Sequence, residues 1–483
     1  MKKIKLATLA LLAATSLSTF SCKDDFEEIN TDPNRTAAAT PEALLAPALH
    51  DMVTRNQNRA LRLTNELMQV HVTTIDSDEI HRYVVRPSES DYMWNNWYLQ
   101  RTNFVDMYNS AKAINNTSFM GIALICDAWV TSLITDMFGD VPYTEANRGR
   151  EGIYQPRFDA QQDIYADLFR KLEEANTMLA ANQALTADQR SLDPLYQGDI
   201  TKWRKFGNTL YLRLLMRVSG KPEVNAAAKI KEIVDTNKSS YPLFANNDES
   251  AILRFTTTPP MVSAFYTFRD FDFNGSHGLS EFFVNNLNTW NDPRIVSWAT
   301  VSGGTYVGIP SGYPVGQVPE RRSSYLVALK NEPLLGNIIN YAELQFILAE
   351  AALKGMIAGS PETFYKKGVE SAITMWQHQV PAGYFDNDEA RWDEGADFES
   401  KMDRIHVQKY YTLFFTDFQQ WHEYRRTGHP VLPKGPGLRN NGEMPSRFLY
   451  PVSVQSLNRA NYTAAAAAMG GDDINTKVWW NKN

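Results

Sequence analysis

The chain has 483 residues, 43% hydrophobic and 12% aromatic, which is the composition of a folded protein and excludes a disordered one. Its formal charge of −7 and the absence of basic patches argue against nucleic acid as a partner. With only two cysteines, Cys22 and Cys126, stability must come from core burial and not from a disulfide framework.

The N-terminus has the layout of an export signal. Lys2, Lys3 and Lys5 form a basic start, Leu6 to Phe20 is an apolar and small-residue run, and Ser18-Thr19-Phe20-Ser21 leads into Cys22. The run is too short for a bilayer core, which takes about 20 helical residues, so residues 1–21 read as a cleavable signal peptide. A cysteine at that boundary resembles the lipobox of bacterial lipoproteins, although Thr19 and Phe20 depart from its usual residues. The resemblance implies that Cys22 is acylated, that residues 22–39 form a lipidated tether, and that acyl chains hold the protein to a membrane at about 0.8 kcal/mol per buried CH₂. The alternative is an ordinary secreted protein with an unmodified Cys22. Loss of the three signal lysines takes the charge from −7 to −10, and about 460 residues then remain, enough for one large domain or a core with an insertion.

Lys23 to Thr36 is polar and acidic, as an extended tether requires. By resemblance to some Gram-negative lipoproteins, Asp24 and Asp25 could mark the protein for display on the cell's outside. Thr40-Pro41-Glu42 supplies an N-cap, a first-turn proline and an early acid, and predicts a helix with Leu45, Leu49, Met52 and Val53 on its apolar face. Ser88 with Asp91 predicts the next start, and a more buried helix spans about Phe119 to Phe138, stopped at Gly139. In that helix Cys126 reads as a buried, inert thiol. Asp159 with Gln162 predicts a capping box ahead of Ile164, Leu168 and Leu172. Trp203, Phe206, Leu210 and Leu214 mark a further helix ended near Gly220.

Between Ser250 and Lys330 the pattern breaks. Pro259-Pro260, Gly303-Gly304 and Pro310 to Pro314 punctuate an aromatic-rich stretch, and a long irregular segment of this kind is usually functional. Helical periodicity resumes at Tyr341 to Leu353, followed by Ser360-Pro361-Glu362 capping a partner helix that reaches Trp376. Such antiparallel pairs are similar to tetratricopeptide (TPR) repeats, without a clean 34-residue period. The expected fold is therefore mainly α, a TPR-like helical scaffold over about 40–249 and 331–483 with an irregular lobe over about 250–330.

Three late segments point to a family: a helix from Arg404 to Pro430, the strip Pro445 to Pro451, and the end Gly471 to Trp480. Together with Asn30 to Asn34, Phe138 to Tyr143, Trp203 to Phe206, Asn291 to Arg294 and the Tyr341 helix, they resemble the SusD/RagB family of outer-membrane nutrient-binding lipoproteins over nearly the whole chain. The resemblance implies a surface-exposed lipoprotein that binds oligosaccharide and docks as a lid on a TonB-dependent SusC-like barrel. RagB-like members handle peptides, and that is the alternative cargo. The motifs themselves read as architecture. Arg425-Arg426-Thr427-Gly428 looks like a helix end with Gly428 at the cap, and Trp479-Trp480 looks like core packing.

A sugar site needs flat aromatic faces with polar groups around them. In the irregular lobe the candidates are Tyr266, Phe271, Trp290, Trp298, Tyr306, Tyr313 and Arg321; ahead of the second helix they are Asp78, His81, Tyr83, Arg86 and Trp94. Asp270, Asp272, Asn274, Gly275 and Glu281 match the spacing of a calcium loop. However, the Pro-rich approach from Thr256 to Met261 leaves little room for an entering helix, and His277 occupies a position normally apolar. The stretch therefore reads as the lead-in to a helix capped by Ser280, and no metal or cofactor is expected. HExxH, GxSxG and a Gly-rich phosphate loop are all absent, so the chain does not read as an enzyme; a helical glycoside hydrolase and a protein-binding TPR scaffold are the remaining alternatives.

Overall fold

Local capping chemistry decides where most of the helices begin. The computed structural model describes residues 39–76 and 80–482; the signal, Cys22, the tether to residue 38 and Asp78 lie outside the described residues. Helix α1 covers Pro41–Arg59, α2 Glu89–Ala113 and α3 Thr117–Phe138. The side chain of Asn116 accepts from the Phe119 amide at 3.0 Å and starts α3 two residues earlier than periodicity predicted. Ser88 precedes α2 but is itself helical in φ and ψ and makes no capping bond. Helix α4 covers Gln161–Ala180 and α5 Ile200–Arg217. The capping box expected at Asp159 is not formed. The residue before α4 is Ala160, and Asp159 turns back to accept from the Tyr143 and Thr144 amides at 3.0 and 2.8 Å, tying β2 (Val141–Pro142) to β3 (Phe158–Asp159).

In the second half, α6 covers Glu281–Thr289, α7 Tyr341–Leu353 and α8 Pro361–Met375. Their first turns are closed by Ser280, Asn340 and Ser360, each accepting from the amide three residues on. The single helix expected from Arg404 to Pro430 is two: α9 at Phe398–Thr412, capped by Asp397, and α10 at Gln419–Thr427. Phe415 and Asp417 take positive φ between them. The cost of that break is offset by side chains standing in for helical bonds, with Gln420 Nε2 donating to the Tyr410 carbonyl at 2.8 Å. The break also splays Phe414, Phe415 and Phe418, all buried, into different parts of the core.

Consecutive helices pack on one another, α1 on α2, α2 on α3, α3 on α4, α4 on α5, and α7 on both α8 and α9. The short links at 114–116 and 354–360 make α2 and α3, and α7 and α8, antiparallel hairpins, the TPR-like arrangement expected from the sequence. Among the described residues the strands form three two-stranded antiparallel pairs: β1 (His71–Thr73) with β5 (His277–Leu279), β2 with β3, and β4 (Ala251–Ile252) with β6 (Asn337–Ile339). Of the described helices, only α3 is long and apolar enough to cross a membrane, and it lies inside the core. Cys126, on α3, is fully buried, and burial pushes its thiol well above its usual pKa. Residues Pro41–Asn483 form one compact unit.

The stretch from 250 to 330 is irregular apart from α6, the short strands β4 and β5 and short turns, yet it is rooted in the same core. Trp298 stacks on Phe414 at 4.6 Å, and Tyr325 lies 5.6 Å from Phe415, ring centre to ring centre. The family-like motifs are buried ion pairs and caps. Asp292 and Arg294 form a bidentate pair at 2.7 and 2.9 Å, and Arg426 grips Glu350 through two bonds of 2.6 Å. Arg425 lies over Trp421 and donates to the carbonyls of Ser446 and Asp136, while Gly428 caps α10 with φ +78. The C-terminus closes over α3: Trp480 Nε1 donates to Asp136 Oδ1 at 2.8 Å, and the Phe448 amide donates to the Met137 carbonyl at 3.2 Å.

Candidate functional site

A cleft of about 500 Å³ opens between the end of α1, the segment after β1 and the first turn of the irregular lobe. Two of its walls are π-helical turns, Ala60–Thr64 and Phe271–Gly275. The first continues α1 and inserts one residue into its winding, which rotates the side chains that follow; such π-bulges are frequent at functional sites. Arg62, on the first turn, is exposed, and Phe271, on the second, is 67% exposed. An aromatic ring left this open gains little from the core and is available as a flat binding face.

The polar lining is held by neighbours. Arg59 pairs with Glu89 at 3.2 Å, and its guanidinium lies 4.1 Å over the Tyr92 ring. Burial lowers its pKa, Glu89 partly opposes the shift, and the group stays a cation. Asp272 is held by Arg269 through two bonds of 2.7 Å, and Lys330 takes Asp270 at 2.9 Å. Two carboxylates of the calcium-like spacing are thus satisfied by cations, and Glu281 is the first residue of α6 behind its Ser280 cap. On the floor, His71 is fully buried. Burial pushes its pKa well below the usual imidazole value, with His277 and His81 adding to the shift, so the ring is neutral. Its Nδ1 lies 2.7 Å from the Tyr325 hydroxyl, which also accepts from Asn65 Nδ2 at 2.9 Å.

The residues singled out in the sequence are not gathered into one site. Phe271 lines this cleft, and Arg321 braces its rim by donating to the Gly275 carbonyl at 2.7 Å. Tyr313 is buried beneath it, donating to the Thr73 carbonyl at 2.8 Å while Arg82 lies over its ring; its other side faces a separate cleft with Gln69, Phe282 and Pro433. His81 is buried against Tyr313, 4.5 Å between ring centres. Tyr83 is buried with a positive φ, and Arg86 is exposed. Tyr266 is 38% exposed, and Tyr306 is packed against the core with its carbonyl accepting from Asn288. Trp94 is buried against Tyr98 in a different cleft beside exposed Tyr154. Trp290 is packed edge-on to Tyr411 at 5.1 Å and lines yet another cleft with Glu399 and His429. Trp298 is core.

Sequence reasoning missed Arg59, Arg62, Glu66, His71 and Glu89. A visible signal was the charge at the end of α1, where Arg55, Arg59 and Arg62 recur at helical spacing ahead of Glu66.

The SusD-like family model, described as starch-binding and associating with the outer membrane, matches residues 33–451. The chain belongs to the SusD-like family. That membership places it among proteins described as associating with the outer membrane, and SusD-like solved structures share its fold. A SusD homolog from Bacteroides fragilis is 22% identical with a TM-score of 0.76, covering 92% of this chain and 100% of its own. A chitin-binding SusD homolog from Flavobacterium johnsoniae is 22% identical with a TM-score of 0.80, covering 92% and 99%. A structure described as a chitin-binding protein is 25% identical with a TM-score of 0.76, covering 92% and 100%. No curated protein matches the chain.

Proposed function

We propose that this SusD-like protein is a lipid-anchored binding protein, without catalytic activity, that captures oligosaccharide at the cell surface and passes it to a SusC-like TonB-dependent barrel. The observation that carries the reading is the cleft under Phe271, where an exposed aromatic face stands beside guanidinium and carboxylate groups already held in place. Sugar rings present apolar C–H faces and hydroxyl rims, and this pairing of surfaces suits both. The family's starch-binding description and the chitin-binding proteins among its solved relatives support the same class of ligand.

The deciding experiment titrates the protein against starch, chitin and other oligosaccharides and against peptides, with product analysis of every mixture. Saturable binding of one glycan class without shortened products is expected. Phe271→Ala should then weaken binding by about 1–3 kcal/mol, the scale of an aromatic anchor, with an unchanged melting temperature because the ring is mostly in solvent. Binding of peptides alone would move the cargo to the RagB-like class, and shortened sugars would overturn the non-enzymatic reading. For the anchor, Cys22→Ser should shift a folded protein from the membrane to the soluble fraction; continued membrane residence would remove the lipid from the account.

A further inference from the structure

Three potential metal ligands meet on the floor of the cleft: Glu66 from the turn Asn65–Leu67, His71 from β1 and His277 from β5. One ligand atom of each lies within 4.8 Å of those of the other two. The strand pairing brings the histidines together. His71 is opposite Leu279 and Thr73 is opposite His277, so the two histidines are diagonal neighbours on one face, with ring centres 4.3 Å apart. His71 Nε2 and Glu66 Oε1 are 3.6 Å apart. That is too long for a hydrogen bond and close to the span of about 3.3–3.5 Å between two ligands of a tetrahedral ion with bonds of about 2.0–2.1 Å. His71 Nε2 is fully buried and has no hydrogen-bond partner among the described residues, an arrangement that costs free energy unless the nitrogen has a role. On the other side of that ring, Nδ1 is fixed by Tyr325, itself fixed by Asn65, the kind of outer partner that orients a metal-binding imidazole.

A second cluster, Glu350, His406 and Glu423, has the same ingredients but a different purpose. Arg426, Lys409 and Arg217 already neutralise its carboxylates, and a cation there would meet three positive charges.

We propose that Glu66, His71 and His277 bind one divalent transition-metal ion of the zinc class, with one carboxylate and two imidazole ligands and an open position facing the cleft. Two imidazoles and one carboxylate suit zinc, cobalt(II) or nickel(II) better than calcium or magnesium, which prefer all-oxygen sites. Three protein ligands leave room for water or for a polar group of whatever occupies the cleft.

The test uses the untagged, full-length protein after chelation, titrated with cobalt(II) and then zinc(II) in the absence of any glycan. Expected are one equivalent of cobalt(II), a visible absorption band of a four-coordinate site, and loss of that band on adding zinc. His277→Ala, at a half-buried position, and Glu66→Gln, of nearly equal volume, should each weaken cobalt uptake roughly 100-fold, at or beyond the upper end of outer-partner losses. Circular dichroism and thermal melting check that each variant is folded. Failure of the folded wild type to take up cobalt(II), or uptake unchanged in both variants, would overturn the proposal. Because no sugar is present, that failure leaves the glycan reading standing.

Discussion

Glu350→Ala should cost about 3–5 kcal/mol of stability, the largest loss expected from any single charge in the scaffold. Glu350 is fully buried on α7 and receives both arms of Arg426 at 2.6 Å, Lys354 at 2.6 Å and His406 at 3.3 Å. Removing it leaves the Arg426 guanidinium in the core with Glu423 alone, at 2.7 Å. Replacing Glu350 and Arg426 together by leucine should lose much less, because Glu423 keeps Lys409 and Arg217 and the freed Lys354 is partly exposed to solvent. Chemical denaturation of the three proteins measures this, and a single-variant loss under about 1 kcal/mol would show that the network is dispensable.

The same network sets the acid limb of stability. Burial would raise the Glu350 pKa, but Arg426 and His406 outweigh it and hold the carboxyl well below the usual carboxylate range; Glu423 is depressed in the same way by Arg426, Lys409 and Arg217. With folded values below the unfolded value of about 4.3, both groups stabilise fully above it, and the contribution is lost as pH falls toward the folded values. His406, pushed down by burial although Glu350 opposes the shift, acts in the same sense from about pH 6.5 downward. Asp417, pushed up to about 6 by burial, acts in the opposite sense, and its contribution is lost as pH rises through that value. Glu350→Gln should therefore flatten the fall in stability below about pH 5.

Trp298→Ala should cost a similar amount, about 3–5 kcal/mol, by opening a cavity where the irregular lobe meets the helices. Its ring, fully buried, lies 4.6 Å from Phe414, 5.2 Å from Trp376 and 5.8 Å from Phe283, with Arg294 5.3 Å from its centre. Three of those partners come from separate elements: the break after α9, the end of α8 and α6. The expected result is one transition, seen at the same lowered temperature by far-ultraviolet and aromatic circular dichroism. An aromatic transition at reduced temperature with the helical signal unmoved would mean that the lobe melts as a unit of its own.

Periodicity and caps made most of the scaffold legible, because an apolar stripe such as Leu45, Leu49 and Met52 or a Ser-Pro-Glu start is a local signal. The break at Leu413 to Phe418 was not legible. Three phenylalanines and a leucine continue a helical pattern perfectly well, and only the tertiary pull on Phe414, Phe415 and Phe418 ends it. Asp159 failed for a related reason: its carboxylate can serve either the helix ahead or the chain behind, and the choice depends on where Tyr143 lies. Of the aromatic candidates, Phe271 could be placed in a cleft only by the fold, since Trp94, Trp290 and Trp298 carry equal sequence credentials and are buried. Glu66, His71 and His277 lie up to 211 positions apart, and only the pairing of β1 with β5 makes them neighbours.

The closure of α3 by Trp480 sets a constraint on the order in which the molecule can be finished. A ribosome releases this helix, the one described helix apolar enough to cross a membrane, more than three hundred residues before the indole that covers Asp136. The earlier helices α2, α4 and α5 cover most of α3 in the meantime, and only its Asp136 end waits for the indole. A chain cut just before Trp480 would keep every helix of the scaffold yet leave the buried Asp136 carboxylate without the indole's hydrogen bond.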